Sequence, residues 1–162
     1  MIEIVADKDI PYLKEVFENS KTFRLKTLPF DEINKKTLKN TQALLSRSAT
    51  ILNDELINGT DIKFIFSLTA GEDHIDHDFL SSREIFIKTA KGANAQAVLE
   101  YTLDALSFSS EKKVGLIGEG HIGSKLKKVL SFFNYETITF DPYKFENSID
   151  QKDAALRCPI IS

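Results

Sequence analysis

Three glycines with the spacing G-x-G-x-x-G are the residues of this chain whose types and positions best support chemistry. Gly118, Gly120 and Gly123 follow the short apolar run 114–117 and open a helical pattern. That order predicts a strand, a tight turn at Gly118, room for a pyrophosphate at Gly120 and close helix packing at Gly123. The N–H groups and dipole of a helix start attract phosphate. The motif therefore predicts a dinucleotide site.

Asp141 ends the next predicted strand, about twenty residues past the glycines, as a dinucleotide fold requires. Its carboxylate would accept hydrogen bonds from the ribose hydroxyls of an adenosine and would repel a 2′-phosphate, which favours NAD over NADP. An Asp at a strand end can also cap the following segment, and this alternative stays open. His121 and Ile122 begin the helix and join the glycines and Asp141 as predicted cofactor-binding residues.

The overall composition is that of an ordinary globular protein. The 162 residues are 42% hydrophobic and 28% charged, with a net charge of -3, which favours neither nucleic acid nor an anionic membrane as a partner. No apolar stretch approaches the length of about 18 residues that a membrane span needs. The N-terminus shows no signal peptide, and the single Cys158 is typical of a reducing cytoplasm. We therefore expect a cytoplasmic protein.

Short apolar strands alternate with helical patterns along the first half of the chain. Strands are predicted at 2–6, 22–28, 42–46, 62–68 and 84–88, and helical segments at 11–19, 31–40, 53–57 and 76–80. The alternation predicts a parallel sheet covered on both faces, with strand 62–68 at its centre because it is strongly apolar. Ligands of such sheets bind beyond the carboxyl ends of the strands, where Arg47, Ser48 and Thr69 lie.

The longest helical pattern, 94–108, is apolar on more than one side and predicts burial on two sides. Such a helix suits the connection between two domains. We predict a first domain at 1–92, a connecting helix and hinge at 93–112, and a partial nucleotide-binding domain at 113–162. After Pro142 there is no convincing strand and no amphipathic helix of useful length, so only strand, helix and strand are predicted, whereas a complete domain has about six strands.

Several runs of the sequence together resemble one enzyme family. They are Leu45-Ser46-Arg47-Ser48-Ala49-Thr50, Leu68-Thr69-Ala70-Gly71-Glu72-Asp73-His74-Ile75-Asp76, Gly92-Ala93-Asn94-Ala95, the glycine loop and Asp141-Pro142. With them the chain resembles the D-isomer-specific 2-hydroxyacid dehydrogenases from about Ile2 to Pro142. The resemblance implies a flavodoxin-like parallel-sheet substrate domain followed by an incomplete Rossmann-type NAD-binding domain. It also implies a small phosphorylated hydroxy acid as substrate, and a homodimer that segment 93–112 helps to build.

The resemblance implies substrate contacts at Ser48 and Thr69. Their hydroxyls can donate to a carboxylate or phosphate oxygen, and Arg47 could add a bidentate contact to the same anion. Turn capping by Ser48 and Thr69, and an ion pair at Arg47, remain alternatives.

The chain departs from the family pattern in two places. Lys91 stands where a proline is expected. The family's catalytic arginine, glutamate and histidine lie in the later part of the nucleotide domain, which the chain does not reach, and His74, His77 and His121 do not match that histidine. We therefore expect a truncated, frameshifted or separately encoded chain that is inactive alone, and we assign no catalytic residue.

The sequence allows three further interpretations. The run 74–78 contains two histidines and two aspartates that could bind zinc or manganese, but a polar loop with acids in the first helical turn explains it, and we assign no metal. The chain could instead be a non-catalytic binding or dimerisation module. It could also be part of a related dehydrogenase that acts on glycerate or a similar acid.

Overall fold

The computed structural model describes residues 1–144 and 149–161. The chain forms two compact units, Met1–Lys91 and Gly92–Ser162. The helix predicted to connect two domains falls within the second unit. Among the described residues, no helix has the length and apolar character that crossing a membrane requires.

The first unit is built on a five-stranded parallel sheet. Its strands are β1 (Ile2–Asp7), β2 (Phe23–Leu28), β3 (Ala43–Ser46), β4 (Phe64–Ser67) and β5 (Phe86–Thr89). The strand order is β2-β1-β3-β4-β5. This order is that of flavodoxin-like sheets, in which the direction of strand addition reverses between β1 and β3. The predicted fold class is confirmed for this unit.

The strand at the centre of the sheet is β3, and all four of its residues are buried. The prediction that strand 62–68 is central was therefore wrong, because β4 lies one position further out, between β3 and β5. Phe64 of β4 is 43% exposed. The apolar character of β4 does not show its position, because half of its side chains face a surface that the helices of the unit do not fully cover.

Short helices connect these strands: α1 (Leu13–Phe17), α2 (Lys35–Leu38), α3 (Asp54–Ile57) and α4 (His77–Ser82). Asn53 caps α3 as predicted, since its Oδ1 accepts a hydrogen bond of 3.1 Å from the Leu56 N–H. Asp76 caps α4 in the same way, with Oδ1 3.0 Å from the Phe79 nitrogen. The two caps end the loops that follow β3 and β4, which are the loops that carry Ser48 and Thr69.

The two faces of this sheet are covered unequally. Right-handed crossovers place α2, α3 and α4 on one face and α1 on the other. Beneath the three helices lies the larger core, formed by Val5, Leu28, Ile33, Leu38, Leu44, Leu52, Ile57, Ile62, Ile65, Ile75 and Leu80. Beneath α1 lies a smaller one, formed by Ile4, Ala6, Ile10, Leu13, Ala43 and Leu45. Aromatic side chains on the face with α1 stay exposed: Phe23 by 38% and Phe86 by 52%.

The second unit has a three-stranded parallel sheet. Its elements are α5 (Ala95–Ser107), β6 (Lys113–Ile117), α6 (His121–Phe132), β7 (Glu136–Phe140), α7 (Ile149–Leu156) and β8 (Ile160–Ile161). The strand order is β7-β6-β8. The prediction of no convincing strand and no amphipathic helix of useful length after Pro142 was wrong in part, because the eight-residue α7 and the two-residue β8 both lie beyond it. Positions 145–148 and 162 of that prediction lie outside the described residues.

A close backbone contact explains how α7 joins this sheet. A Cβ atom at Gly115 would overlap the carbonyl group of Ala155, so α7 lies directly against β6 with no side chain between them. β8 is only two residues long, which is too short to show an alternating pattern. The tertiary contact at Gly115, rather than local periodicity, places these elements.

Only one side of α5 is buried in the described structure. Leu99 and Leu106 pack into a core with Leu126 and Leu130 of α6. Tyr101 is 78% exposed and Phe108 is 86% exposed. The expected burial on two sides was therefore wrong for the chain as described, because the second apolar side of the helix has no core beside it.

Candidate functional site

The first candidate site is the carboxyl edge of the five-stranded sheet. Ala6 pairs with Leu45 and Ser46 pairs with Ser67, so the ends of β1, β3 and β4 lie side by side. The strand order reverses between β1 and β3, and such reversal points are where open α/β sheets bind ligands. The hydroxyl and charged side chains that follow these strands are therefore gathered at one edge.

Arg47 at this edge is held by two carboxylates. Its Nε donates to Asp7 Oδ2 at 2.8 Å, and its Nη2 donates to Asp7 Oδ1 at 3.3 Å and to Asp9 Oδ2 at 2.8 Å. Asp7 is completely buried, and its hydrogen bond is the main reason that the pKa of Arg47 is raised. The sequence left an ion pair and an anion contact open for Arg47. The structure contains the ion pair, and Nη1 is the guanidinium nitrogen that these bonds do not use.

Ser48 and Thr69 differ in exposure and in the contacts that their hydroxyl groups make. Ser48 is exposed in a turn closed by the Thr50 N–H and the Arg47 carbonyl, 3.1 Å apart. Thr69 is half-buried, and its Oγ1 lies 3.2 Å from Ser67 Oγ. Both hydroxyls stand just past the ends of β3 and β4, as the sequence predicts.

His74 is the functional candidate that sequence reasoning missed. Its Nε2 lies 2.9 Å from the buried Ser67 Oγ, which also contacts Thr69. Burial lowers the pKa of His74, against the opposing charges of Asp73 and Glu72. The sequence places His74 in the run that resembles the family and offers it as a metal ligand or a loop residue, but it gives no sign of this contact, because Ser67 lies inside an apolar strand.

The two histidines of the run 74–78 face different groups. His74 contacts Ser67, whereas His77 Nε2 lies 3.9 Å from Glu72 Oε2. Glu72 also accepts hydrogen bonds from Thr89 Oγ1 at 3.0 Å and from Lys91 Nζ at 3.2 Å. These contacts lower the pKa of Glu72, and the hydrogen bond from Thr89 has the largest effect. Lys91, at the position where a proline was expected, is thus tied to the loop after β4.

The second candidate site is the glycine loop between β6 and α6. Gly118 has a φ of 96°, which only glycine adopts readily, so it makes the tight turn that the spacing predicts. A Cβ at Gly123 would overlap the Gly118 carbonyl, so α6 packs closely on the turn. A Cβ at Gly120 would meet no atom within 4 Å. The loop therefore keeps open space beside Gly120, where a pyrophosphate is expected.

The first turn of α6 completes this loop. His121 and Ile122 are its first two residues, and the N–H groups of a first helical turn have no partner within the helix. The His121 ring lies beside Gly92, where a Cβ would be 3.3 Å from its Cγ. Both residues directly follow Gly120 and its open space, and their N–H groups can donate hydrogen bonds to an anion.

Asp141 is buried and holds the glycine loop from the end of β7. Its Oδ2 accepts a hydrogen bond from the Glu119 N–H at 2.7 Å, and its Oδ1 accepts one from the Tyr143 N–H at 2.9 Å. These backbone bonds lower the pKa of Asp141. The capping alternative is therefore present in the structure. It does not exclude ribose contacts, because a carboxylate has about four acceptor positions.

Lysines hold Glu119 in the middle of the loop. Lys127 Nζ lies 3.0 Å from Glu119 Oε1, and Lys144 Nζ donates to the Glu119 carbonyl at 2.6 Å. Lys127 thus pairs with the loop.

We predict that Gly123→Ala destabilises the second unit more than Gly120→Ala. The added methyl at Gly123 must displace the Gly118 carbonyl, which we expect to cost about 1–3 kcal/mol. At Gly120 the methyl enters open space, and we expect less than about 1 kcal/mol. Chemical denaturation followed by amide NMR signals of the second unit measures both. Equal or reversed losses would contradict the close approach of α6.

We predict that His74 makes the first unit less stable in mild acid. Its pKa is lowered in the folded state, so the unfolded chain binds more protons, and stability falls as the pH drops below the unfolded value of about 6.5. Urea midpoints at about pH 7.5 and about pH 5.5 bracket that window. His74→Gln should reduce the difference between the two midpoints, while the control His77→Gln should retain it. An unchanged difference in His74→Gln would refute the assignment.

The comparisons with known proteins agree with this architecture. The family model described as "D-isomer specific 2-hydroxyacid dehydrogenase, catalytic domain" matches residues 1–149. Erythronate-4-phosphate dehydrogenase of Hahella chejuensis is 37% identical over 99% of this chain and 45% of its own length. The enzyme of the same name from Saccharophagus degradans is 35% identical over 88% of this chain and 40% of its own length. The chain thus spans less than half the length of these relatives.

Solved structures share the fold at low identity. The NAD-dependent formate dehydrogenase from Staphylococcus aureus in complex with NAD matches with a TM-score of 0.68 at 19% identity, over 90% of this chain and 58% of that one. The D-lactate dehydrogenase from Aquifex aeolicus complexed with NAD and lactic acid matches with a TM-score of 0.65 at 20% identity, over 93% of this chain and 54% of that one. With the match of the family model to residues 1–149, the chain belongs to the D-isomer specific 2-hydroxyacid dehydrogenase family.

Proposed function

We propose that this chain carries the substrate-binding unit and the first part of the NAD-binding unit of a cytoplasmic dehydrogenase. The reaction is the NAD-dependent oxidation of 4-phospho-D-erythronate to its 2-oxo acid, in pyridoxal 5′-phosphate biosynthesis. The observation that carries the proposal is the 34–37% identity to several relatives named erythronate-4-phosphate dehydrogenase. The two candidate sites support it with groups suited to an anionic substrate and a dinucleotide.

The substrate would bind at the carboxyl edge of the five-stranded sheet. Ser48 and Thr69 supply hydroxyl groups that can donate to a carboxylate or phosphate oxygen. Arg47 contributes mainly through its positive charge and Nη1, because Asp7 and Asp9 hold Nε and Nη2. Two hydroxyls and one partly neutralised cation suit an anion that must also be released.

The glycine loop fits NAD. The open space at Gly120 would admit a pyrophosphate, and the first amides of α6, from His121 and Ile122, would donate to it. Asp141 would accept hydrogen bonds from the adenosine ribose and repel the 2′-phosphate of NADP. Bound NAD supplies the hydride acceptor. The role of this chain is to hold and orient that cofactor.

No residue of this chain is assigned as the catalytic acid or base. His74 contacts Ser67, His77 lies near Glu72, and the His121 ring lies beside Gly92. The family resemblance assigns proton transfer and carboxylate binding to an arginine, a glutamate and a histidine that match no residue here. The chain alone is therefore proposed to bind ligands without turning them over.

A second candidate function is a non-catalytic dimerisation module. The exposed Tyr101 and Phe108 on α5 favour it, since 78% and 86% exposure of large aromatic side chains is typical of a contact surface. An active homodimer could use the same surface. Ligand binding separates the two functions, because a vestigial module would bind neither the hydroxy acid nor NAD.

We predict that 4-phospho-D-erythronate binds the 162-residue chain and shifts the amide NMR signals around Ser48 and Thr69. Thr69→Val should weaken binding about tenfold through the loss of one charge-assisted hydrogen bond, and Thr69→Ser should largely restore it. Ser48→Ala should also weaken binding. Ser81→Ala, at an exposed position on α4, is the control and should not. Tighter binding of D-glycerate would instead favour the related glycerate-type dehydrogenase.

We predict that the highly purified 162-residue chain does not reduce NAD in the presence of 4-phospho-D-erythronate, because the arginine, glutamate and histidine that the family resemblance assigns to catalysis match no residue of its sequence. NADH absorbance measures this directly. A full-length relative named erythronate-4-phosphate dehydrogenase serves as the positive control. Sustained NADH production by the chain would refute the proposal that it binds the ligands without turning them over.

A further inference from the structure

Three side chains form a row behind the proposed substrate edge. Thr69 Oγ1 lies 3.2 Å from Ser67 Oγ, and Ser67 Oγ lies 2.9 Å from His74 Nε2. Ser67 is completely buried, so its single hydroxyl proton has these two neighbours as acceptors. If one neighbour accepts a hydrogen bond from Ser67 Oγ, the other neighbour must donate a hydrogen bond to it.

The row therefore has two arrangements when His74 is neutral. If His74 carries its proton on Nε2, it donates to Ser67, Ser67 donates to Thr69, and the Thr69 proton stays available for a ligand. If His74 carries its proton on Nδ1, Ser67 donates to Nε2, and Thr69 donates to Ser67. Thr69 then offers only lone pairs, which repel a carboxylate or phosphate oxygen.

The backbone holds His74 firmly in this position. The Leu52 N–H donates to the His74 carbonyl at 2.8 Å, and the Asp76 N–H donates to the Leu52 carbonyl at 2.9 Å. The loop from β4 to α4 is thus pinned to the segment before α3 on both sides of Ile75. The Cα of His74 is thereby held at the position from which its ring reaches Ser67.

The surroundings favour the proton on Nε2. Nε2 has a buried acceptor in Ser67 Oγ, whereas the structure shows no hydrogen-bond partner for Nδ1 across residues 1–144 and 149–161. A proton on Nε2 is donated to a protein acceptor, whereas a proton on Nδ1 would have no acceptor among the described residues. Burial also lowers the pKa of His74, which keeps the ring neutral near pH 7.

We propose that His74 is a positioning residue that, through Ser67, fixes the Thr69 hydroxyl as a hydrogen-bond donor toward an anionic substrate. The inference rests on the proposed function, in which Thr69 contacts that substrate. It assigns specificity to a residue outside the binding surface: the protonated nitrogen of His74 decides whether Thr69 attracts or repels an anionic oxygen.

The first test is nitrogen NMR of the histidine rings in the ligand-free 162-residue chain. At about pH 8 the His74 ring is neutral, because its pKa is lowered from the usual value of about 6.5. The signals of His74 are identified by their loss in His74→Gln. We expect a protonated Nε2 and an unprotonated Nδ1. A protonated Nδ1 overturns the inference, whether or not any ligand binds.

The second test uses 4-phospho-D-erythronate and two matched variants. His74→Gln keeps a donor toward Ser67 and should keep the affinity within about threefold. His74→Glu offers only acceptors, forces Thr69 to donate inward, and should weaken binding about tenfold. His77→Glu is the charge control, since it adds the same charge three residues away on a side chain that faces Glu72. Equal losses in both Glu variants would contradict the inference.

The two tests separate this inference from the proposed function. If the wild-type chain binds no 4-phospho-D-erythronate, the proposed substrate is wrong, while the ring nitrogens still decide the state of His74. If the substrate binds and Nδ1 carries the proton, the proposed function stands and the positioning role of His74 is refuted.

Discussion

Asp7 is completely buried at the end of β1, and the guanidinium of Arg47 is the charge that compensates it. A buried carboxylate without a partner is strongly destabilising, so this ion pair must form for the sheet to close at its reversal point. The pair joins the ends of β1 and β3 and sets the direction of the loop that carries Ser48.

The second unit uses a carboxylate at a strand end for a related purpose. Asp141 follows β7 and accepts two backbone hydrogen bonds, one from the glycine loop at Glu119 and one from Tyr143. Ionised carboxylates make such bonds strong. The loop is therefore shaped before a cofactor arrives, and a ribose would meet an acid already in position. A residue with a structural role in the free protein can serve a ligand with its remaining lone pairs.

Neither unit covers all of its apolar surface with its own described elements. The face of the first sheet that carries α1 exposes Phe23, Phe64 and Phe86, and α5 of the second unit exposes Tyr101 and Phe108. Contiguous exposed aromatic groups are characteristic of surfaces that are covered in a complete assembly.

Sequence alone determined the strand and helix order through Phe140, the glycine loop and Asp141, because alternating periods and glycine spacing are local properties of the chain. Position within the sheet, the burial of α5, and the existence of α7 and β8 were decided by tertiary structure. The contact of Ala155 with Gly115 joins residues 40 positions apart and leaves no periodic trace. The same holds for His74 and Ser67, whose bond depends on a loop that the Leu52 backbone holds in place.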